Sequence, residues 1–191
     1  MHDEFIFDLK KKDASFLVSK WVIDRIPYIF NNSVENYLSW KENLSKLIDV
    51  DSCSIVFTGS SSIGFSLNPL NNFKKFNKES DIDIAIISDH YFDISWHYLR
   101  SIGSKRYDLN PQQQASLQDH VDRLVYWGTI ATDKLLPIMP FGKAWVLAFE
   151  KMCKEKPINQ REIKARIYRD FDSLRAYHRS NLIKIRNNFL K

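Results

Sequence analysis

Apolar and polar residues alternate most regularly from Asp81 to Ser88. Ile82, Ile84 and Ile86 fall on one side and Asp81, Asp83 and Ala85 on the other, the two-residue period of a strand with one face in a core. Ser54 to Thr58 is a shorter β-branched and aromatic run that predicts a strand ending at Gly59. A third alternation, Arg161 to Arg169, places Ile163, Ala165 and Ile167 on one face. Elsewhere the period lengthens to that of a helix. Val34, Tyr37, Leu38, Leu44, Leu47 and Ile48 share a stripe, with Lys41 its polar break and Ser33 a natural N-cap. Helices are also expected over about Tyr91–Ser104, Pro111–Tyr126, Phe141–Lys154 and Asp170–Leu190; proline suits the first turn of the second of these. Residues 14–31 read as a short helix and a turn around Pro27, and Ser60–Leu67 as a turn entering a helix. Asn68–Ser80 reads as an exposed loop and 128–140 as irregular, broken by Pro137 and Pro140. The mixture predicts an α+β fold: a small mixed sheet with helices packed on it and helical additions at both ends. One domain is expected, with its core at about 52–170 and a helical extension at about 171–191.

Composition narrows the class. With 44% hydrophobic and 14% aromatic residues in 191, the chain can bury a core and wholesale disorder is excluded. No apolar run has membrane-spanning length, and the acidic start Met1-His2-Asp3-Glu4 lacks a signal-peptide pattern. Cys53 and Cys153 match no metal-ligand spacing and read as reduced core thiols. A cytoplasmic protein with no membrane partner is therefore expected. The net charge is +5, and from Arg161 onward nine Lys and Arg face three Asp and Glu, so the basic excess lies in the C-terminal segment. A polyanionic partner and a solvated helix face both fit it. His90, His97, His120 and His178 show no paired spacing and read as surface or helix-face residues; Trp96, Trp127 and Trp145 read as core. Tyr168, Arg169, Tyr177, His178 and Arg179 form a basic-aromatic group, suited either to clamping a base or RNA backbone or to plain helix packing.

The chemistry centres on Asp81-Ile82-Asp83. Side chains two apart on a strand point the same way, ~7 Å apart along the chain, and can converge on one cation or a pair. Magnesium is commonly held by one or two carboxylates together with substrate phosphate and water. A lone D-x-D occurs by chance on many solvent-facing strands. Upstream, Thr58-Gly59-Ser60-Ser61-Ser62 leads from a strand into a helix start. Gly59 permits close backbone approach, and the N–H groups of such a turn suit an anion. Taken alone, it is also an ordinary serine-rich turn with an N-cap.

In their order, a strand, a Gly-Ser turn, a helix, a loop and a strand bearing D-x-D, these segments resemble the nucleotidyltransferase superfamily that includes DNA polymerase β, the poly(A) and tRNA-terminal transferases and the minimal nucleotidyltransferases. The likeness covers about residues 52–88, through Ile55-Val56-Phe57-Thr58-Gly59-Ser60 and Ser80-Asp81-Ile82-Asp83-Ile84. It implies that Gly59, Ser60 and Ser61 hold a nucleoside triphosphate, and that Asp81 and Asp83 bind magnesium, two ions in all. The implied activity is transfer of a nucleoside monophosphate to a protein, RNA or small-molecule hydroxyl. Small stand-alone members often act in toxin–antitoxin or phage-defence modules, which would add a partner protein. The chain departs from the pattern twice. Twenty residues separate Ser60 from Asp81, a longer gap than usual, and active members carry a third carboxylate on a later strand. Asp170 is the candidate for that role, with helix N-cap its equal alternative; Asp133 and Asp108, in irregular segments, come after it. Without a third carboxylate, the resemblance implies a catalytically impaired scaffold or sensor that binds a partner protein, nucleotide or nucleic acid.

Overall fold

The structure is a computed structural model and describes residues 1–67 and 73–189. In chain order its main elements are α1 (His2–Lys11), α2 (Ala14–Val18), α3 (Val34–Ile48), β1 (Ile55–Thr58), α4 (Gly59–Ile63), β2 (Ile82–Ile87), α5 (Asp89–Ser101), α6 (Pro111–Asp119), β3 (Thr129–Ala131), α7 (Gly142–Met152), β4 (Ile163–Tyr168) and α8 (Phe171–Phe189). The fold is α+β. Its sheet has the order β1-β2-β4-β3, with β2 and β4 parallel and the other two pairings antiparallel.

Alternation along the strands sorts residues between two layers. Ile82, Ile84 and Ile86 join Phe57, Ile163, Ala165 and Ile167 against Trp40 and Leu44 of α3, Phe92 of α5, and Trp145 and Phe149 of α7. Fully burying one such aromatic or aliphatic side chain is worth ~1.5–3 kcal/mol, so this layer dominates the fold. On the opposite face Val56, Ala85, Ile87 and Tyr168 pack against Leu174 of α8. That cover meets the sheet at the Ile87 end of β2, so Asp81 and Asp83, at the other end, are left only half-buried. A third cluster ties α1 (Phe5, Leu9), α2 (Leu17, Val18), Trp21 and Val22, and Phe65 to Leu182 and Ile185 of α8.

Several elements differ from the pattern-based expectation. α1 forms although nothing in the periodicity singled it out; Phe5 and Leu9, one turn apart, are fully buried. β3 lies in the stretch expected to be irregular, since three residues are too few to show an alternation. The helix from Pro111 opens into a π-helical turn, His120–Leu124, and then a 3-10 turn, Val125–Trp127. Residues 68–72 of the expected loop lie outside the described residues, as does Leu190. The rest of that loop folds back: Phe65 pairs with Lys75 in an antiparallel bridge, with Ser66 N donating to Lys74 O at 2.8 Å and Phe76 N to Gly64 O at 2.9 Å.

The two thiols are free but not in the core: Cys53 is exposed and Cys153 half-buried. Of the three tryptophans expected there, Trp145 is buried, Trp96 packs on the core's edge, and Trp127 is half-buried beside exposed Tyr126. His120 is not a surface residue. It is buried, its Nε2 accepting from Ala131 N at 2.9 Å while Nδ1 lies 2.6 Å from Ser116 O, so it fastens β3 to the end of α6. No described helix is long and apolar enough to cross a membrane.

Candidate functional site

The antiparallel register of β1 and β2 sets Thr58 opposite Asp83, which carries Gly59 and Ser60 past the acidic end of β2. Gly59 turns there with φ +61°, a left-handed conformation that glycine adopts without strain. A Cβ at this position would overlap the Asp83 carboxylate, lying 3.1 Å from its Cγ. Only a residue without a side chain allows turn and carboxylate to approach this closely. Gly59, Ser60, Asp81 and Asp83 consequently line one cleft of about 450 Å³, together with Lys74, Lys75, Glu79 and Ser80.

Ser61 departs from its expected role. It is fully buried and its hydroxyl donates to Thr58 O at 3.1 Å, so its side chain braces the turn from inside instead of facing the cleft. The two lysines come from the folded-back insertion, where Phe73 meets Phe5 and Phe65 and Phe76 meets Tyr28. The aromatic residues seat this segment while Lys74 and Lys75 border the cleft. Loop composition alone carried no sign of that placement.

A smaller recess of about 180 Å³ continues from Asp83 and Gly59 to Asp133, Lys164, Arg166, Tyr168, Tyr177 and His178. Burial, then the charges of Asp81 and Asp133, push the Asp83 carboxyl up to about 6, with Lys164 and Arg166 opposing. The Lys164 ammonium donates to Asp81 Oδ2 at 2.5 Å, and this bond raises its own pKa. Arg166 donates to the Tyr177 hydroxyl. Desolvation, and then Arg166, hold the His178 imidazole down to about 3, so it is neutral at physiological pH. Tyr168, Tyr177 and His178 of the basic-aromatic group thus wall this recess, whereas its Arg169 and Arg179 do not line it; His178 Nε2 lies 3.4 Å from the Tyr168 hydroxyl, so this residue, expected on the surface or a helix face, borders the acids.

The structure separates Asp170 from the other acids. β4 runs parallel to β2 with Lys164 opposite Asp83, and Asp170 lies six residues further on, roughly 20 Å along the strand direction. Its Oδ1 accepts from Ser173 N at 2.7 Å, and that bond holds its carboxyl below the usual range. The N-cap alternative describes this placement. Asp108 ends an exposed 3-10 segment, Gly103–Asp108. Asp133 does share the Asp83 recess, because antiparallel β3 returns it toward Lys164. Even so, among the described residues no three His, Cys, Asp or Glu side chains converge as a ligand set. The strand position facing Asp83 holds a lysine. The alternation of Arg161–Arg169 already put Lys164 and Arg166 on the face away from the core; which strand would lie beside them was not readable.

No protein-family model, curated protein or solved structure matches the chain.

Proposed function

We propose that the cleft binds a magnesium-chelated nucleoside triphosphate and that the chain transfers its nucleoside monophosphate to an acceptor hydroxyl. One observation carries this reading: Gly59 and Ser60 at the end of β1 and Asp81 and Asp83 on β2 line a single cleft, with the carboxylate of Asp83 packed where the glycine has no side chain. Two half-buried carboxylates beside a turn open to phosphate fit magnesium, which favours hard oxygen ligands and keeps waters that phosphate can replace. Asp81 and Asp83 would hold the ion; bound there, it supplies positive charge to the triphosphate and to the leaving group. Ser60 and the backbone N–H groups of its turn would orient phosphate oxygens, while Lys74 and Lys75 offset their charge. The acceptor oxygen bonds to the α-phosphorus, the bond to the β-phosphate oxygen breaks, and pyrophosphate leaves. Asp133, in the adjoining recess that shares Asp83, would take the acceptor's proton. A protein, RNA or small-molecule acceptor, within a toxin–antitoxin or phage-defence pair, follows from the resemblance of the Gly-Ser and D-x-D segments to nucleotidyltransferases; work in the cytoplasm follows from the two free thiols.

A second reading, a nucleotide sensor or scaffold without turnover, is favoured by Lys164 standing opposite Asp83. Incubating the folded chain with triphosphates labelled at the α-phosphate, magnesium and cell extract separates the two. Label on an acceptor, lost in Asp83→Asn, supports transfer. Magnesium-dependent nucleotide binding with no transfer supports the sensor. A folded chain that binds no triphosphate removes both.

A further inference from the structure

Lys164 is the cation already present among the acids. Its ammonium lies 2.5 Å from Asp81 Oδ2 and 3.8 Å from Glu162 Oε2, and about a third of its side chain remains in solvent. The parallel pairing of β2 and β4 holds it there, because Lys164 is the register partner of Asp83 and β-strand alternation turns it onto the acidic face. A lysine ammonium is a compact, strongly hydrated point charge on a flexible stem. It neutralises Asp81 as a bound ion would, and it can swing aside without disturbing the backbone. Arg166, the next residue on that face, is tied to Tyr177 and supplies a second fixed positive charge from the same strand.

We propose that Lys164 acts as the resident counter-ion of the acidic pair, so that the cleft takes one divalent cation, held by Asp83 and the free side of Asp81, and excludes a second. This rests on the metal reading of the cleft above and revises the two ions that the family resemblance implies. The charges agree with it. Asp81, Asp83, Glu79 and Asp133 carry four negative charges into the cleft and its recess, and Lys74, Lys75, Lys164 and Arg166 return four positive ones. The lining is therefore balanced before any ion binds, and a second divalent ion would add two further positive charges beside the ammonium at Asp81. A lysine beside a ligating carboxylate tunes the site as outer-shell partners do, and such residues change metal affinity by ~10–100-fold.

The test counts ions on the full chain, with Mn2+ alone as the probe and free Mn2+ read by electron paramagnetic resonance. Wild type is expected to saturate at one ion per chain. Lys164→Gln, half-exposed in wild type and monitored for folding by circular dichroism, should bind Mn2+ on the order of tenfold more tightly and take up a second ion. Lys164→Arg, which keeps the charge, should behave as wild type. Two ions on wild type, or unchanged affinity and stoichiometry in Lys164→Gln, overturn the proposal. If wild type nevertheless transfers nucleotide label, only this inference falls. No Mn2+ uptake by any of the three folded proteins overturns it together with the metal reading.

Discussion

Gly59 and Asp83 set the character of the cleft between them. The glycine's left-handed φ and missing side chain admit the carboxylate, and the burial that follows raises the Asp83 pKa to about 6 from 3.8. Its effect on stability has a definite sign. Between about pH 4 and 6 the metal-free folded chain holds a proton that the unfolded chain has released, so stability falls as pH rises through that window. The shift, at ~1.4 kcal/mol per pKa unit and reduced for the solvent-facing part of the side chain, is worth ~2 kcal/mol. Asp83→Asn should therefore be more stable than wild type at pH 7.5 by about that amount, with the gain vanishing near pH 4. Urea midpoints at the two pH values measure it; an equal or lower midpoint at pH 7.5 would mean that the carboxylate is well satisfied without metal. The D-x-D and the Gly-Ser turn were both legible in the sequence. Their contact was not, because it depends on the β1–β2 register.

Short or distorted elements decide the rest of the site. β3 has three residues, yet it returns Asp133 to the Asp83 recess. It is held by His120, which the π-helical turn rotates inward, and by Thr129 Oγ1 donating to Ile167 O at 3.0 Å. A π-helical turn at Ser19–Ile23 likewise follows α2 and buries Trp21 and Val22, which line a further cavity beside Gly59. Neither distortion follows a regular period, so hydrophobic spacing registered a helix in one case and a helix with a turn in the other. Asp170 is the counterexample at this scale. Its position after a strand suggested a third catalytic acid, but it starts α8 by capping Ser173 N. Asp170→Ala should cost about 1 kcal/mol of stability and leave triphosphate affinity unchanged. A stability measurement paired with calorimetry checks both halves, and a loss of binding without a loss of stability would return Asp170 to the site.

At the scale of the molecule, both ends of the chain back the cleft. α1 and α2 pack with α8 around Phe5, Trp21, Phe65, Leu182 and Ile185, and this cluster also seats Phe73 of the insertion that carries Lys74 and Lys75. Buried Asp8 holds the assembly, accepting from Lys20 Nζ at 2.7 Å and Trp21 Nε1 at 3.1 Å. The Lys20 bond is the largest influence keeping the Asp8 carboxyl below its ordinary value. Its stabilisation is accordingly present above about pH 4 and lost as pH falls through the lowered pKa. Asp8→Ala leaves the indole N–H unpartnered while Lys20 keeps Glu4, at 2.8 Å, so a cost of about 2 kcal/mol is expected. That corresponds to a Tm lower by roughly 4–8 °C for a chain of this size. A thermal melt at pH 7 should show the drop, and an unchanged Tm would mean that α1 contributes little to the cluster. The basic excess after Arg161 is partly spoken for at this scale: Arg166 donates to Tyr177, Arg175 to Ser19 and Arg186 to Lys12 O. Those guanidinium groups fasten α8 and its neighbours in place; their charge remains, but fewer of their N–H donors are free for a polyanion than the composition implied.

The amino-acid order by itself determined what is local: three of the four strands among the described residues, the principal helices after Ser33, the faces on which Ile82, Ile84, Ile163 and Ile167 lie, and the D-x-D and Gly-Ser segments from which the proposed site is built. Periods of 2 and 3.6 residues arise within one element, so they specify which side a residue faces but never what it faces. Tertiary structure alone decided that β4 lies beside β2 with Lys164 against the acids, that a three-residue strand returns Asp133 while Asp170 stays behind, and that Ser61 turns inward. Each of those outcomes is set by strand order and by contacts between distant parts of the chain, where burial and charge act through space and leave no repeating mark in the sequence.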